Sequence, residues 1–172
     1  MLKSQNFIVV GLVVLAVFSR LLPHPPNFTP VMAIALFSGF HFQSKSIGLL
    51  APLAALFISD LILGFYSVMW AVYLGFAVMI LISSYLKKNK TLTTVMLTTL
   101  FGSLFFFMLT NFAVWLQASI YSKDWSGLSQ CYVMALPFFR NSLLGDLVYT
   151  SSLFLIYEVA QRKILATHLE RN

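Results

Sequence analysis

The stretch LTTVMLTTLFGSLFFFMLTNFAVWLQAS, residues 92–119, runs for 28 positions without a charged side chain. About 20 consecutive apolar residues in a helix cross the roughly 30 Å hydrocarbon core of a bilayer. The stretch is therefore long enough to span a membrane as one helix, with length left over for tilt or for extension beyond the lipid. It predicts an integral membrane protein.

The composition of the whole chain agrees with this stretch. Of 172 residues, 59% are hydrophobic and 9% are charged, whereas a soluble domain carries about 25% charged residues. So few charges do not cover a soluble surface, and we expect one transmembrane domain over residues 1–172 with the lipid bilayer as its main partner. The net charge of +6 lies in short loops and at the ends rather than on a soluble basic face, so nucleic acid is excluded as a partner.

The order of apolar segments predicts an all-α, polytopic membrane helical bundle of about six transmembrane helices. The second helix is only ~20 Å long and follows RLLPHPPNFTP, residues 20–30, whose four prolines favour a stiff extended loop. The apolar stretch 128–139 is short and contains Pro137, so it predicts a re-entrant or interfacial segment before the last helix. The predicted helices are 7–22, 30–42, 47–64, 68–86, 92–119 and 141–160.

The distribution of basic residues predicts the orientation of the six helices. With the N-terminus inside, eight lysines and arginines are cytoplasmic and three are external, as the positive-inside bias requires. A seventh span at 128–139 changes the split to six against five. Both termini are therefore predicted to be cytoplasmic. The eight are Lys3, Lys45, Lys87, Lys88, Lys90, Arg162, Lys163 and Arg171, and the three are Arg20, Lys123 and Arg140.

Unusual polar residues gather near the outer ends of three predicted helices. Asp60, Asn111 and Asp146 are each predicted to lie ~7 to 12 Å below the outer surface. Polar groups inside a membrane normally face the bundle interior and often serve a ligand or a pathway. We therefore predict an outward-facing cavity. Its candidate residues are His24, Asn27, Asp60, Asn111, Trp115, Cys131, Tyr132, Arg140, Asn141 and Asp146.

Each candidate also has a purely structural interpretation. Asp60 and Asp146 are suited to pair with Arg20, with Arg140 or with backbone groups, and Asn111 to an interhelical hydrogen bond. The tryptophans and tyrosines of the outer loops are typical of an interfacial aromatic belt.

The chain has a single cysteine, Cys131. One cysteine excludes an internal disulfide and a multi-cysteine metal site. It is either a small buried hydrophobe or a reactive thiol or soft metal ligand. The sequence predicts no metal, no cofactor and no catalytic residue.

Several motifs carry a resemblance to a known family over nearly the whole chain. The chain resembles an uncharacterised family of small bacterial membrane proteins, which in turn resembles the substrate-binding S components of energy-coupling-factor (ECF) transporters. The motifs are Arg20-Leu-Leu-Pro-His-Pro-Pro-Asn-Phe-Thr-Pro30, Ala33-Ile-Ala-Leu-Phe37, Ser59-Asp60 with Trp70 and Tyr73, Cys131-Tyr132, Leu136-Pro-Phe-Phe-Arg-Asn141 and Gly145-Asp146.

The resemblance implies a location, a lid and a partner. It implies a multi-pass protein of the bacterial cytoplasmic (inner) membrane whose cavity is closed by the loop after helix 1. S components also dock an energising transporter module through an Ala-x-x-x-Ala patch on helix 1, but here Gly11 and Ala16 are five apart. The pairs with the required spacing are Ala35 with Gly39 and Ala51 with Ala55.

Two classes of function remain at this point, and a third is structural. The preferred hypothesis is a membrane-embedded protein, not an enzyme, that binds or takes up a small, partly polar, vitamin-like solute. The first alternative is an intramembrane enzyme that acts on a lipid or isoprenoid through His24, Asp60 or Cys131. The second is a structural subunit of a membrane complex.

Overall fold

The computed structural model describes the backbone of residues 2–170 and the side chains of residues 7–164. Over this range the regular structure is helical, with a single 3₁₀ turn at Lys87–Asn89 and no strand. The all-α bundle is confirmed. Its helices are α1 Leu2–Ser19, α2 Val31–His41, α3 Lys45–Leu63, α4 Met69–Leu86, α5 Leu92–Gln117 and α6 Trp125–Glu170.

Four of these helices, α3 to α6, are long and apolar enough to cross a membrane by length and composition. The apolar parts described for α1 and α2 are shorter, at Phe7–Ser19 and Val31–His41. At 1.5 Å per residue, α2 is only about 16 Å long and does not cross a bilayer alone. These dimensions identify a membrane protein.

The short helix α2 forms the centre of the bundle. All of its 11 residues are buried, and it contacts each of the other five helices. A helix that is apolar on every side is stable only when other helices surround it. Gly39 permits the close approach of α4, since a Cβ there would overlap with Ser83 Oγ and the carbonyl oxygen of Ile80. Ala35 and Gly39 are therefore used inside the protein and are not available to a partner.

Consecutive helices contact one another through short connections, so neighbours run antiparallel. Loops 20–30, 64–68 and 118–124 lie together at what we call the proline-loop end. Loops 42–44 and 87–91 lie at the opposite end, which we call the lysine end. Lys3 and Arg171 from the charge count lie outside the described side chains. The basic residues described near the lysine end are Lys45, Lys87, Lys88, Lys90, Arg162 and Lys163.

Helix α6 corrects the predicted break before the last helix. It is continuous over 46 residues with Pro137 inside it, about 69 Å at 1.5 Å per residue. Pro137 and Val133, whose carbonyl loses its helical partner to the proline, both lie on the exposed face. The proline therefore displaces no packed neighbour, and membrane helices tolerate such an interruption. There is no separate re-entrant segment at residues 128–139.

Candidate functional site

A cavity of about 380 Å³ lies at the proline-loop end, between the loop after α1, the α3–α4 loop and helices α5 and α6. Pockets that bind small molecules occupy about 300 to 1,000 Å³. Its apolar wall includes Phe106, Phe107, Phe138 and Phe139. Its polar lining consists of Arg20, Asn27, Thr29, Tyr66, Ser103, Thr110, Asn111, Ser142 and Asp146.

Arg20, in the turn after α1, is held in the cavity wall by α3 and α4. Its Nη2 lies 2.9 Å from Asp60 Oδ1, and its Nη1 donates to Ser59 Oγ. Tyr73 Oη donates to the other oxygen of Asp60 at 2.9 Å. The Asp60 side chain is fully buried, while the Arg20 side chain is 9% exposed and lines the cavity. Asp60 thus lies behind Arg20 and fixes its position rather than facing the cavity itself.

Asp146 lies further from the proline-loop end of the bundle than the sequence predicts. Ser103 Oγ donates to Asp146 Oδ2 at 2.6 Å, and Ser103 precedes Asn111 by eight residues on α5. Asp146 is therefore about 12 Å further along the helix axis than Asn111, and the predicted common depth is wrong for it. The error has the same origin as the predicted break, because α6 begins at Trp125 rather than at residue 141.

Two polar side chains of α5, Thr110 and Asn111, line the cavity while bonded to their own helix. Asn111 Nδ2 donates to the carbonyl oxygen of Phe107, and Thr110 Oγ1 donates to that of Phe106, both at 2.8 Å. Among the described residues, the amide oxygen of Asn111 accepts no hydrogen bond. It remains available to a hydrogen-bond donor in the cavity.

The proline loop lies on α6 and covers one side of the cavity. Asn141 Nδ2 donates to the Pro26 carbonyl at 3.1 Å. The Phe28 ring lies 5.6 Å from that of Tyr149, and a Cβ at Gly145 would come within 3.3 Å of Phe28 Cα. Asn27 adopts a left-handed backbone with φ 61°, a conformation that asparagine tolerates better than most residues, and its side chain lines the cavity.

Five other predicted site residues lie outside the cavity lining. His24 is half-buried, with Nδ1 3.0 Å from the carbonyl oxygen of Pro25. Arg140 is on the exposed face of α6, within the helix rather than in an outer loop. Cys131 is buried, and its Sγ lies 3.5 Å from the carbonyl oxygen of Asn111. Tyr132 Oη donates to the Met108 carbonyl at 2.8 Å and thereby joins α6 to α5.

Trp115, the fifth of these residues, organises the α5–α6 loop. Its Nε1 donates to the Ser122 carbonyl at 2.8 Å, and Lys123 Nζ lies over its ring and donates to its carbonyl oxygen. The same loop ends at Asp124, which accepts from Gly127 N–H at 2.8 Å and from Ser122 Oγ. These bonds hold the pKa of Asp124 below its ordinary value. The loop is thus ordered by its own residues.

One comparison with known proteins places the chain in a family. The profile of a family of unknown function, DUF6580, matches residues 1–168. The chain belongs to this family. No curated protein and no solved structure matches the DUF6580 chain. The expectation of an uncharacterised family is confirmed.

The phenylalanines of the cavity wall and Ser103 were not among the site residues predicted from the sequence. Ser103, Phe107 and Asn111 follow one another at four-residue spacing on α5, and Phe138, Ser142 and Asp146 do so on α6. Counting back from Asn111 and Asp146 at this spacing identifies the other residues of the same helix faces. Phenylalanine occurs 17 times in the chain, so its presence alone gave no signal.

Proposed function

We propose that this DUF6580 protein binds a small, partly polar solute in the cavity at the proline-loop end and takes part in its uptake across the bacterial cytoplasmic membrane. The main support for this proposal is a cavity of about 380 Å³ whose wall combines phenylalanine rings with incompletely paired polar groups. Such a mixture is typical of small-molecule sites, in which apolar area supplies affinity and a few polar groups fix orientation.

The resemblance to ECF S components supports a role in uptake. In the orientation favoured by basic residues, the proline-loop end faces outward and the lysine end faces the cytoplasm. The proline loop contacts α6 through Asn141, Gly145 and Tyr149 and contributes Asn27 and Thr29 to the cavity wall. It is therefore placed to act as a lid over a bound solute.

A partner module is part of the same proposal. Arg140 is exposed on an otherwise apolar face of α6 that also exposes Val133, Leu136 and Leu144. An arginine facing lipid is costly, so this face suits a protein partner that carries a carboxylate. Of the small-residue pairs, Ala51 and Ala55 are half-buried on α3. We therefore propose this face of α6, rather than the Ala51–Ala55 pair, as the main contact with the partner.

The enzyme alternative has less support. His24, Asp60 and Cys131 do not line the cavity. Each is occupied by a neighbour: the Pro25 carbonyl, Arg20 with Tyr73, and the Asn111 carbonyl, respectively. The paired acid and base that proton transfer requires is not assembled from these three residues.

Native mass spectrometry of the detergent-purified protein tests the binding proposal. The wild type is expected to retain a small molecule, and Ala135→Phe, which fills the cavity wall, is expected to lose it. Ala54→Phe on the exposed face of α3 is the matched control and retains the molecule. Equal retention by all three proteins contradicts a solute site in this cavity. Uptake is then measured as accumulation of the released molecule by cells that carry the wild type or Ala135→Phe.

A further inference from the structure

The charges around the cavity do not balance. Arg20 lines the cavity, but its charge is already compensated by Asp60 at 2.9 Å. Asp146 lines the same cavity and is 5% exposed. Within the described side chains it receives one hydrogen bond, from Ser103, and forms no ion pair. The cavity therefore contains one buried carboxyl group without a basic partner.

The position of Asp146 makes this imbalance costly. Its neighbour Ser103 is near the middle of α5, which runs from Leu92 to Gln117. An unpaired carboxylate at such a depth is strongly disfavoured unless a cation or further hydrogen-bond donors accompany it. A ligand that brings a positive charge or an N–H donor to Asp146 removes the penalty.

Arg20 does not offer a free group to a solute. Its Nε is buried and has no hydrogen-bond partner among the described residues. Within the described part of the chain, the hydroxyls of Ser38 and Thr150 are also buried without hydrogen-bond partners, but neither residue lines the cavity. Because Asp60 already balances its charge and its Nε is buried, Arg20 contributes to the wall without supplying a basic partner for Asp146.

We infer that the cavity selects a small organic amine, with its protonated or N–H group at Asp146 and its apolar body against the phenylalanine rings. This inference rests on the proposed solute-binding function and specifies the class of solute. A carboxylate solute is disfavoured because it would approach Asp146 with like charge. Aromatic faces in the wall add attraction for a cation.

The test compares two probes that share a ring system and differ in charge. Tryptamine carries an ammonium group and indole-3-propionate carries a carboxylate. Thermal unfolding in detergent is measured with each probe at about 1 to 10 mM, because a ligand that binds the folded state raises its stability. Tryptamine is expected to raise the melting temperature of the wild type, and indole-3-propionate is expected to leave it unchanged. Asp146→Asn keeps the side-chain shape and should remove the tryptamine response.

Asp124→Asn is the matched control, because Asp124 is an exposed carboxylate before α6 and should not affect the response. If Asp146→Asn does not fold, Asp146→Glu, which keeps the charge, is measured and should still respond to tryptamine more than to the acid. A tryptamine response retained in Asp146→Asn, an equal or larger response to the acid, or a wild type that responds to neither probe overturns the inference. Loss of the co-purified solute in Ala135→Phe but not in Asp146→Asn leaves the proposed function intact while the amine class fails.

Discussion

Arg20 at the proline-loop end and Lys90 at the lysine end are used in opposite ways. Lys90 Nζ lies 3.2 Å from His41 Nε2 and 3.6 Å from Glu158 Oε1, and within 5.9 Å of the ring centres of Phe154 and Tyr157. Arg20 is equally anchored through its terminal nitrogens, to Ser59 and Asp60, yet it forms part of a cavity wall. The difference separates a joint between helices from a binding surface.

His41, which contacts Lys90, also belongs to the joint between helices at the lysine end. His41 Nδ1 lies 2.9 Å from the Phe37 carbonyl oxygen, so Nδ1 carries the proton and Nε2 accepts from Lys90. The ring also packs against Phe37, Phe154 and Tyr157. Both nitrogens of His41 are therefore satisfied, and α2, α6 and the α4–α5 loop are joined at the lysine end.

The largest stability effect is expected at the Arg20–Asp60 pair. Asp60→Asn removes the charge that compensates a buried arginine, and the loss of one member of such a pair costs about 3 to 5 kcal/mol. The melting temperature in detergent should fall sharply, and the double variant Arg20→Met with Asp60→Leu should recover most of the loss. A single Asp60→Asn variant as stable as the wild type would show that the pair is not part of the structural framework.

A smaller loss is expected where α2 meets α4. Gly39→Ala places a methyl group against Ser83 and the Ile80 carbonyl, and overpacking of this kind costs about 1 to 3 kcal/mol. Gly11→Ala on α1 is the control, since a Cβ there meets nothing within 4 Å. Thermal unfolding of the two variants checks the prediction, and equal melting temperatures would contradict the tight packing of α2.

The Lys90 joint should contribute to stability but not to binding. Lys90→Met removes the donor to His41 and the contact with the half-exposed Glu158, at a cost of about 1 kcal/mol. Solute retention in native mass spectrometry should match the wild type. Loss of the solute with unchanged stability would reverse the assignment of roles to the two ends.

The smallest stability effect is expected at Gly145, where the proline loop rests on α6. A Cβ would lie 3.3 Å from Phe28 Cα, a contact that the loop can relieve by a shift of a few tenths of an ångström. Gly145→Ala should change stability by less than about 1 kcal/mol while accelerating release of the bound solute, measured by dilution and timed mass spectrometry. An unchanged release rate would argue against the loop as a lid.

The sequence predicted the helices better than the site. The second to fifth predicted helices agree with the observed ones to within two residues at each end, whereas the first was placed three to five residues too late. Long apolar runs bounded by polar loops have few alternatives in a bilayer. The error at Pro137 arose because local propensity does not reveal which face of a helix is unpacked. Thus the tertiary position of one proline decided both the helix length and the depth of Asp146.

Three of the polar residues predicted for the site lie in the cavity lining. Asn27, Asn111 and Asp146 line the cavity, and the pairing of Asp60 with Arg20 was one of the open alternatives. Tyr132 and Trp115 were predicted to belong to the cavity, but they brace α5, α6 and their loop. Neighbouring phenylalanines line the cavity instead. Only packing distinguishes these two sets of aromatic residues.

The most direct test of a cavity open to the outside is reagent access to single cysteines in a Cys131→Ser background. Ser142→Cys lies in the cavity wall and Lys88→Cys lies in the turn at the lysine end. In intact cells, a small membrane-impermeant thiosulfonate should modify the cysteine at position 142, whereas the one at position 88 should react only after the cells are broken. Modification of position 88 but not of position 142 in intact cells would contradict a cavity that is open to the outside.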